Sequence, residues 1–154
     1  MSEYIDITED YIYRCLENYI KFNEQTEFNV TLAVSTIQAV SMAFVSQCDN
    51  TPCSGESFLN VISSEMSALF ENNKLFQTGK NNYQHWNNIR NSFSHMMEEN
   101  VKILPNNEKE IGEIRFKCNG MKKEQIIPVE SLHKFLVELY KIVVSYKKSK
   151  YPKY

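Results

Sequence analysis

The chain has 154 residues, of which 42% are hydrophobic and 23% charged, so it is long enough for one globular domain and too short for two. Its formal net charge of −2 excludes the general attraction to polyanions of a duplex-DNA binder, so any nucleic-acid contact has to come from a local patch. Four glycines and four prolines are too few for a sandwich or barrel of many short strands. We therefore expect a single, mainly helical domain over residues 1–154.

No segment predicts contact with a membrane. The longest nearly apolar run, residues 30–45, is interrupted by polar side chains and is shorter than the roughly 20 residues that span a bilayer. The N-terminus lacks the basic start and the apolar core of a signal peptide. We expect a cytoplasmic protein whose four cysteines are reduced thiols.

Apolar residues at three- and four-residue spacing predict four helices in the first hundred residues, over about 8–23, 29–47, 56–72 and 82–98. Thr8 is a suitable N-cap for the first helix. The second helix is apolar around most of its circumference, which predicts a central, buried position.

After residue 105 the helical period is replaced by two short extended runs, around residues 111–116 and 126–127. The dipeptide Asn119-Gly120 between them is a strong signal for a type I′ hairpin turn. Pro128 ends the second run and can open a last helix, whose apolar stripe continues to Tyr146. The predicted fold is a mainly α bundle of about five helices with a β-hairpin inserted before the last one.

The fourth helix carries three residues that together suit phosphodiester chemistry, Arg90, Asn91 and His95. Arginine offers a permanently charged, planar fork for a phosphate, and histidine can move a proton near neutral pH. In a regular helix Asn91 and His95 share a face, while Arg90 points about 140° away from His95 and has to swing round to it. Taken alone the spacing is a weak pattern, because a lone helical histidine is more often a surface or capping residue.

The string Ile-Arg-Asn-Ser-Phe-Ser-His at residues 89–95 resembles the signature of the HEPN (higher eukaryotes and prokaryotes nucleotide-binding) family. That signature is an arginine, a polar residue, three variable residues and a histidine. Residues 113–116 and 127–132 resemble the insert and the final helix of bacterial, RNase-like HEPN proteins. The likeness is specific over about residues 83–146 and concerns only the architecture over the first 80. It implies a HEPN-like helical bundle that pairs through its motif helices.

In many HEPN ribonucleases two such motifs meet across a two-fold axis in a homodimer. They form one metal-independent site that cleaves single-stranded RNA and leaves a 2′,3′-cyclic phosphate. By this resemblance Arg90 would hold and neutralise the scissile phosphate, His95 would serve as general acid or base, and Asn91 would position them. The resemblance further implies a toxin-like or defence- or stress-related protein without a cofactor, with an antitoxin or regulatory protein as a further partner.

Apolar residues of the motif helix also favour a dimer, because a helix that faces its own core cannot bury all of them inside one chain. These residues are Tyr83, Trp86, Phe93, Met96 and Met97.

A second candidate nucleic-acid contact is the basic tail, residues 147–154, where Lys147, Lys148 and Lys150 are interspersed with tyrosines. Such a tail can follow a nucleic-acid backbone while its rings stack on bases. The alternative is a solvated helix end, where lysines suit the negative end of the helix dipole. The alternative is the stronger expectation.

Cysteines and the other histidines give weaker signals. Cys48 and Cys53 flank a turn, but a zinc site would also need Cys118 and a histidine to converge there, so free thiols are expected and no metal. His85 and His133 are expected to be structural or surface residues rather than catalytic ones.

Three functions therefore stay open: a HEPN endoribonuclease, a non-catalytic HEPN module that binds nucleotide, RNA or a protein partner, and an unrelated helical interaction protein. Met96 and Met97 follow the histidine where many HEPN members have a small residue, and Glu98 and Glu99 add negative charge beside it. These departures are compatible with the second function.

Overall fold

The computed structural model describes residues 7–24, 29–50, 58–95, 101–105, 111–118 and 121–150. In chain order its elements are α1 (Ile7–Phe22), α2 (Asn29–Asn50), α3 (Phe58–Val61), α4 (Ser63–Asn73), α5 (Asn82–Ser94), β1 (Val101–Pro105), β2 (Ile111–Phe116), β3 (Gln125–Pro128) and α6 (Val129–Lys150). The predicted mainly helical fold with a sheet element before the last helix is confirmed. Within the described ranges, no helix is long and apolar enough to cross a membrane.

The sheet has three strands, and the prediction of a two-stranded hairpin was incomplete. β2 pairs antiparallel with β3 as predicted, and β1, which the prediction missed, pairs antiparallel with the other side of β2. The backbone N–H of Met121 donates to the carbonyl of Cys118 at 3.1 Å, and the predicted turn residues Asn119 and Gly120 between them lie outside the described part. Phe116 pairs with Gln125 rather than with Lys123, so the connection before β3 contains two residues more than a regular two-residue hairpin would have.

The third predicted helix is divided at Ile62, whose backbone (φ −100°, ψ 22°) departs from helical values. Backbone hydrogen bonds nevertheless continue through the break, because Ile62 N–H donates to Phe58 and Met66 N–H donates to Ile62. No glycine or proline between residues 56 and 72 signals this break, so the apolar period alone predicted one continuous helix.

Aromatic side chains from four elements form the centre of the core. The ring of Trp86 lies 4.7 Å from that of Phe44 and 5.4 Å from that of Phe70, and the ring of Phe135 lies 5.6 Å from Phe70. Trp86, Phe44 and Phe135 have no exposed surface. The core therefore joins α2, α4, α5 and α6, and it buries one side of the predicted motif helix.

A tight connection between α4 and α5 sets the start of the motif helix. Lys74 and Phe76 both have positive φ (54° and 58°), a conformation that non-glycine residues adopt only when the surroundings enforce it. Here the side chain of Gln125 enforces it, because its Nε2 donates to the Lys74 carbonyl at 2.7 Å and its Oε1 accepts from Phe76 N–H at 3.0 Å. Asn81 then caps α5 by accepting from the Gln84 N–H at 2.9 Å.

Candidate active site

The motif helix α5 is shorter than predicted, and this changes the position of His95. The helix ends at Ser94, and His95 is its C-cap residue with a non-helical backbone (φ −109°, ψ 34°). The prediction of a helix to residue 98 therefore fails at residue 95. The His95 side chain is exposed, and its backbone N–H donates to the carbonyls of Asn91 and Ser92 at 3.2 Å each.

Arg90 and Asn91 are brought together directly. The Nε and Nη2 of Arg90 donate to the side-chain oxygen Oδ1 of Asn91, at 3.2 and 3.0 Å. The same Nη2 donates to the Oδ1 of Asn87 at 3.0 Å. Two amide oxygens thus accept hydrogen bonds from the guanidinium group and fix its position, and a guanidinium group is by its chemistry suited to bind an anion.

Asn87 is a site residue that the sequence interpretation missed. It precedes Arg90 by three positions and Asn91 by four, so the three side chains occupy neighbouring positions on one helix surface. The sequence signal for Asn87 was its position about one helical turn before Arg90.

Gln38 of α2 is a second missed residue. Its Nε2 donates to the carbonyl of Phe93 at 3.1 Å, which satisfies an acceptor in the last turn of α5, directly before His95. The signal in the sequence was an amide side chain between the apolar residues Ile37 and Ala39 of α2.

Trp86 and Phe93 do not face a partner. Their exposed fractions are 0% and 2%, so the core of the same chain buries them. Tyr83 is partly buried, and Met96 and Met97 lie outside the described residues. The apolar residues therefore give no support for a dimer interface, because those that can be located are accommodated within one chain.

His85 has a structural role in the connection that precedes α5. Its Nδ1 accepts from the backbone N–H groups of Thr78 and Gly79, both at 3.1 Å, and its ring lies 4.7 Å from that of Phe70. Because Nδ1 is an acceptor, the neutral ring carries its proton on Nε2. Burial lowers the pKa of His85 below its ordinary value of 6.5.

His133 links the last helix to the first. Its Nδ1 lies 2.6 Å from the Tyr19 hydroxyl and 3.0 Å from the Asn23 Nδ2. Burial raises the pKa of Tyr19 to about 12, so the phenol keeps its proton and can donate it to the ring nitrogen. His133, which is partly buried, therefore has a structural role on α6.

Two lysines of the basic tail pair with carboxylates of α1. Lys147 Nζ lies 2.6 Å from Asp10 Oδ1, and Lys150 Nζ lies 2.9 Å from Glu9 Oε1. Glu9 and Asp10 are only 4% and 6% exposed, so these cations neutralise buried charges. The third candidate, Lys148, is exposed, and residues 151–154 lie outside the described part.

The thiols that can be located are not grouped. Cys118 is buried and Cys15 partly buried, and burial raises the pKa of both, which makes them poor nucleophiles. The side chain of Cys48 and the whole of Cys53 lie outside the described residues. No group of three or more metal-ligating side chains occurs among the residues that the structure describes.

A groove of about 440 Å³ runs between α6 and the α3–α4 pair. Its lining includes Val61, Glu65, Lys141 and Tyr146 but none of the three motif residues. The motif residues lie instead on α5 and at its C-terminal end, where Asn91 and His95 are exposed and Arg90 is partly buried.

No family model, no curated protein and no solved structure matches this chain.

We predict that the two neighbouring tail lysines differ in their effect on stability. Lys147→Ala should lower the free energy of unfolding by about 2 kcal/mol, because it removes an ion pair with the buried carboxylate of Asp10. Lys148→Ala, the matched control at an exposed position, should change it by less than about 0.5 kcal/mol. Urea unfolding measures both, and equal effects would contradict a structural role for Lys147.

We predict that His85 makes the protein less stable in mild acid. The unfolded chain takes up a proton on this histidine near pH 6.5, whereas the folded chain resists it because the pKa of His85 is lowered. The stability contributed by neutral His85 is thus complete above pH 6.5 and is lost as the pH falls toward the folded-state pKa.

Urea midpoints at pH 7.5 and 5.5 test this for the wild type and His85→Gln. The wild type should lose more stability on acidification than the variant. Equal losses of stability in the two proteins would contradict the prediction, because they would mean that His85 has the same pKa in the folded and the unfolded chain.

Proposed function

We propose that the chain is a metal-independent endoribonuclease of the HEPN type that cleaves single-stranded RNA. The observation that supports this best is the Arg90 guanidinium, held by two asparagine side chains on the helix that ends in the exposed His95. This arrangement matches the roles that the signature resemblance assigns to an arginine, an asparagine and a histidine.

In the proposed reaction Arg90 binds the non-bridging oxygens of the scissile phosphate and offsets the charge that grows there in the transition state. A general base removes the proton of the ribose 2′-hydroxyl, whose oxygen attacks phosphorus. The bond from phosphorus to the 5′-oxygen breaks, and a general acid protonates that leaving oxygen. The products are a 2′,3′-cyclic phosphate and a 5′-hydroxyl end, and no metal or cofactor is needed.

Asn91 is a positioning residue in this proposal. It accepts from two different nitrogens of Arg90, so it fixes the plane of the guanidinium group as well as its location. Its main-chain carbonyl accepts from the backbone N–H of His95. One asparagine therefore links both proposed reacting residues.

The reaction needs both an acid and a base, and each chain supplies one His95 at the motif. A homodimer in which two α5 helices approach each other would provide two histidines and two arginines, as the resemblance implies. The outward surface of α5 is polar here, with Asn87, Asn91 and Ser94 near Arg90. Such an interface would thus be formed through hydrogen bonds rather than through the apolar residues of the helix.

We predict that His95→Ala and Arg90→Ala each lower the rate of RNA cleavage at least about 100-fold, the usual contribution of a general acid–base group for His95 and of an electrostatic stabiliser for Arg90. The measurement is cleavage of a fluorescent single-stranded RNA in the presence of EDTA, with the product ends identified by mass spectrometry. His133→Gln, which changes a histidine on another helix, is the matched control and should keep full activity.

Activity that persists in the His95→Ala protein would come from a contaminant and would contradict the proposal. An inactive wild-type protein that still binds RNA through Arg90 would favour the non-catalytic module instead. The toxin-like role predicts growth arrest on expression, relieved by the same two substitutions.

A further inference from the structure

The local sequence does not explain why α5 ends at Ser94. Residues 95–99 contain no glycine or proline, and positions 96–99 are filled by methionine and glutamate, which are good helix formers. The apolar spacing therefore predicted a helix to residue 98. The reason for the earlier end has to lie in a contact with another part of the fold.

The last four carbonyls of a helix have no partner within that helix. In α5 two of them belong to Asn91 and Ser94, which are exposed to solvent. The other two belong to Ser92 and Phe93, which are only 1% and 2% exposed, so their carbonyls need a donor from the protein. The Ser92 carbonyl accepts from the backbone N–H of His95 at 3.2 Å. The Phe93 carbonyl would, in a longer helix, accept from the N–H of the residue four positions later.

Gln38 of α2 supplies a donor for the Phe93 carbonyl in its place. The distance from Gln38 Nε2 to that carbonyl oxygen is 3.1 Å. Gln38 is partly buried, and α2 packs against α5, so the packing of the two helices holds the amide group at the helix end. A buried carbonyl without a hydrogen bond is strongly unfavourable. Gln38 therefore stabilises the form of α5 that ends at Ser94 relative to a form that continues.

The place where the helix ends affects the direction of the His95 side chain. His95 has a φ of −109°, whereas a helical residue has about −63°, and the difference turns its Cβ by roughly 45° about the N–Cα bond. In a regular helix the side chains of Arg90 and His95 would point about 140° apart. The relation between the guanidinium and the imidazole therefore depends on whether α5 ends at Ser94 or continues.

We propose that Gln38 is a positioning residue of the candidate site, which ends α5 at Ser94 by binding the Phe93 carbonyl and so holds His95 in its cap conformation. Gln38 acts through the backbone of the last turn. Its effect on cleavage rests on the proposed function, whereas its effect on the helix end does not. Asn91 thus orients Arg90 from within α5, and Gln38 orients His95 from the neighbouring helix.

Gln38→Met tests the proposal, because methionine has nearly the same length as glutamine but carries no hydrogen-bond donor. The readout is the NMR chemical shift of the His95 Cα, which reports the backbone conformation of that residue. We expect this shift to move to the helical value in Gln38→Met. Gln77→Met makes the same chemical change at an exposed position and should leave the His95 shift where it is in the wild type.

A second substitution tests whether the Phe93 carbonyl is the cause. Met97→Pro removes the N–H that a continuing helix would direct at this carbonyl. The double variant Gln38→Met/Met97→Pro should therefore return the His95 shift to its wild-type value. Gln38→Ala removes the donor with less bulk, and it should move the shift in the same direction as Gln38→Met if methionine does not fit at this position.

The kinetic readout is the cleavage of single-stranded RNA. We expect Gln38→Met to lower kcat at least about tenfold and to leave KM within about twofold, because a misplaced His95 slows the chemical step while Arg90 still binds the phosphate. Gln77→Met should keep both constants, and Gln38→Met/Met97→Pro should recover most of the lost kcat.

A His95 shift that stays unchanged in both Gln38→Met and Gln38→Ala would overturn the proposal, whether or not the wild type cuts RNA. A changed shift with an unchanged kcat would overturn the positioning role. A wild-type protein without any cleavage activity would contradict the nuclease proposal instead. The His95 shift would then still decide whether Gln38 ends the helix.

Discussion

Aromatic packing fixes the rotation of α5 about its own axis, and this rotation determines where the candidate site lies. Trp86 is enclosed by rings from α2, α4 and α6, and Phe93 packs against a ring of β2. Large rings in a closely packed core tolerate few arrangements, so they determine which side of the helix faces solvent. The remaining side carries Arg90 and Asn91, and the helix ends at His95. The chemistry of the surface thus follows from the packing beneath it.

Much of the helical framework could be predicted, because its information is local. The helices α1, α2 and α6 begin and end within a few residues of the bounds that apolar spacing and Pro128 indicate. β1 was missed because it is short and its pairing partner comes later in the chain, although Val101 and Ile103 alternate around a lysine. The pairing of Lys147 with Asp10 joins residues 137 positions apart, which no local pattern reveals.

The site shows the same division between local and distant information. The hydrogen bonds between Arg90 and Asn91 join adjacent residues, so they need no contact with a distant part of the chain. The support that Gln38 gives to the last turn of α5 could not be predicted, because it depends on how α2 packs. The ion pairs of the tail lysines also depend on distant parts of the chain. The most lysine-rich stretch of sequence compensates buried acids of α1, which no local pattern in the sequence indicated.

In the proposed site Arg90 and His95 contact the same phosphate group. NMR of the histidine rings is the most direct measurement of this contact. The chain has three histidines, so single substitutions assign their ring resonances. On titration with a single-stranded 2′-O-methyl oligonucleotide, which cannot be cut, the His95 resonances should shift to saturation while those of His85 and His133 stay in place. Arg90→Ala should abolish that shift. A His95 ring that does not respond, or one that responds equally without Arg90, would contradict the claim.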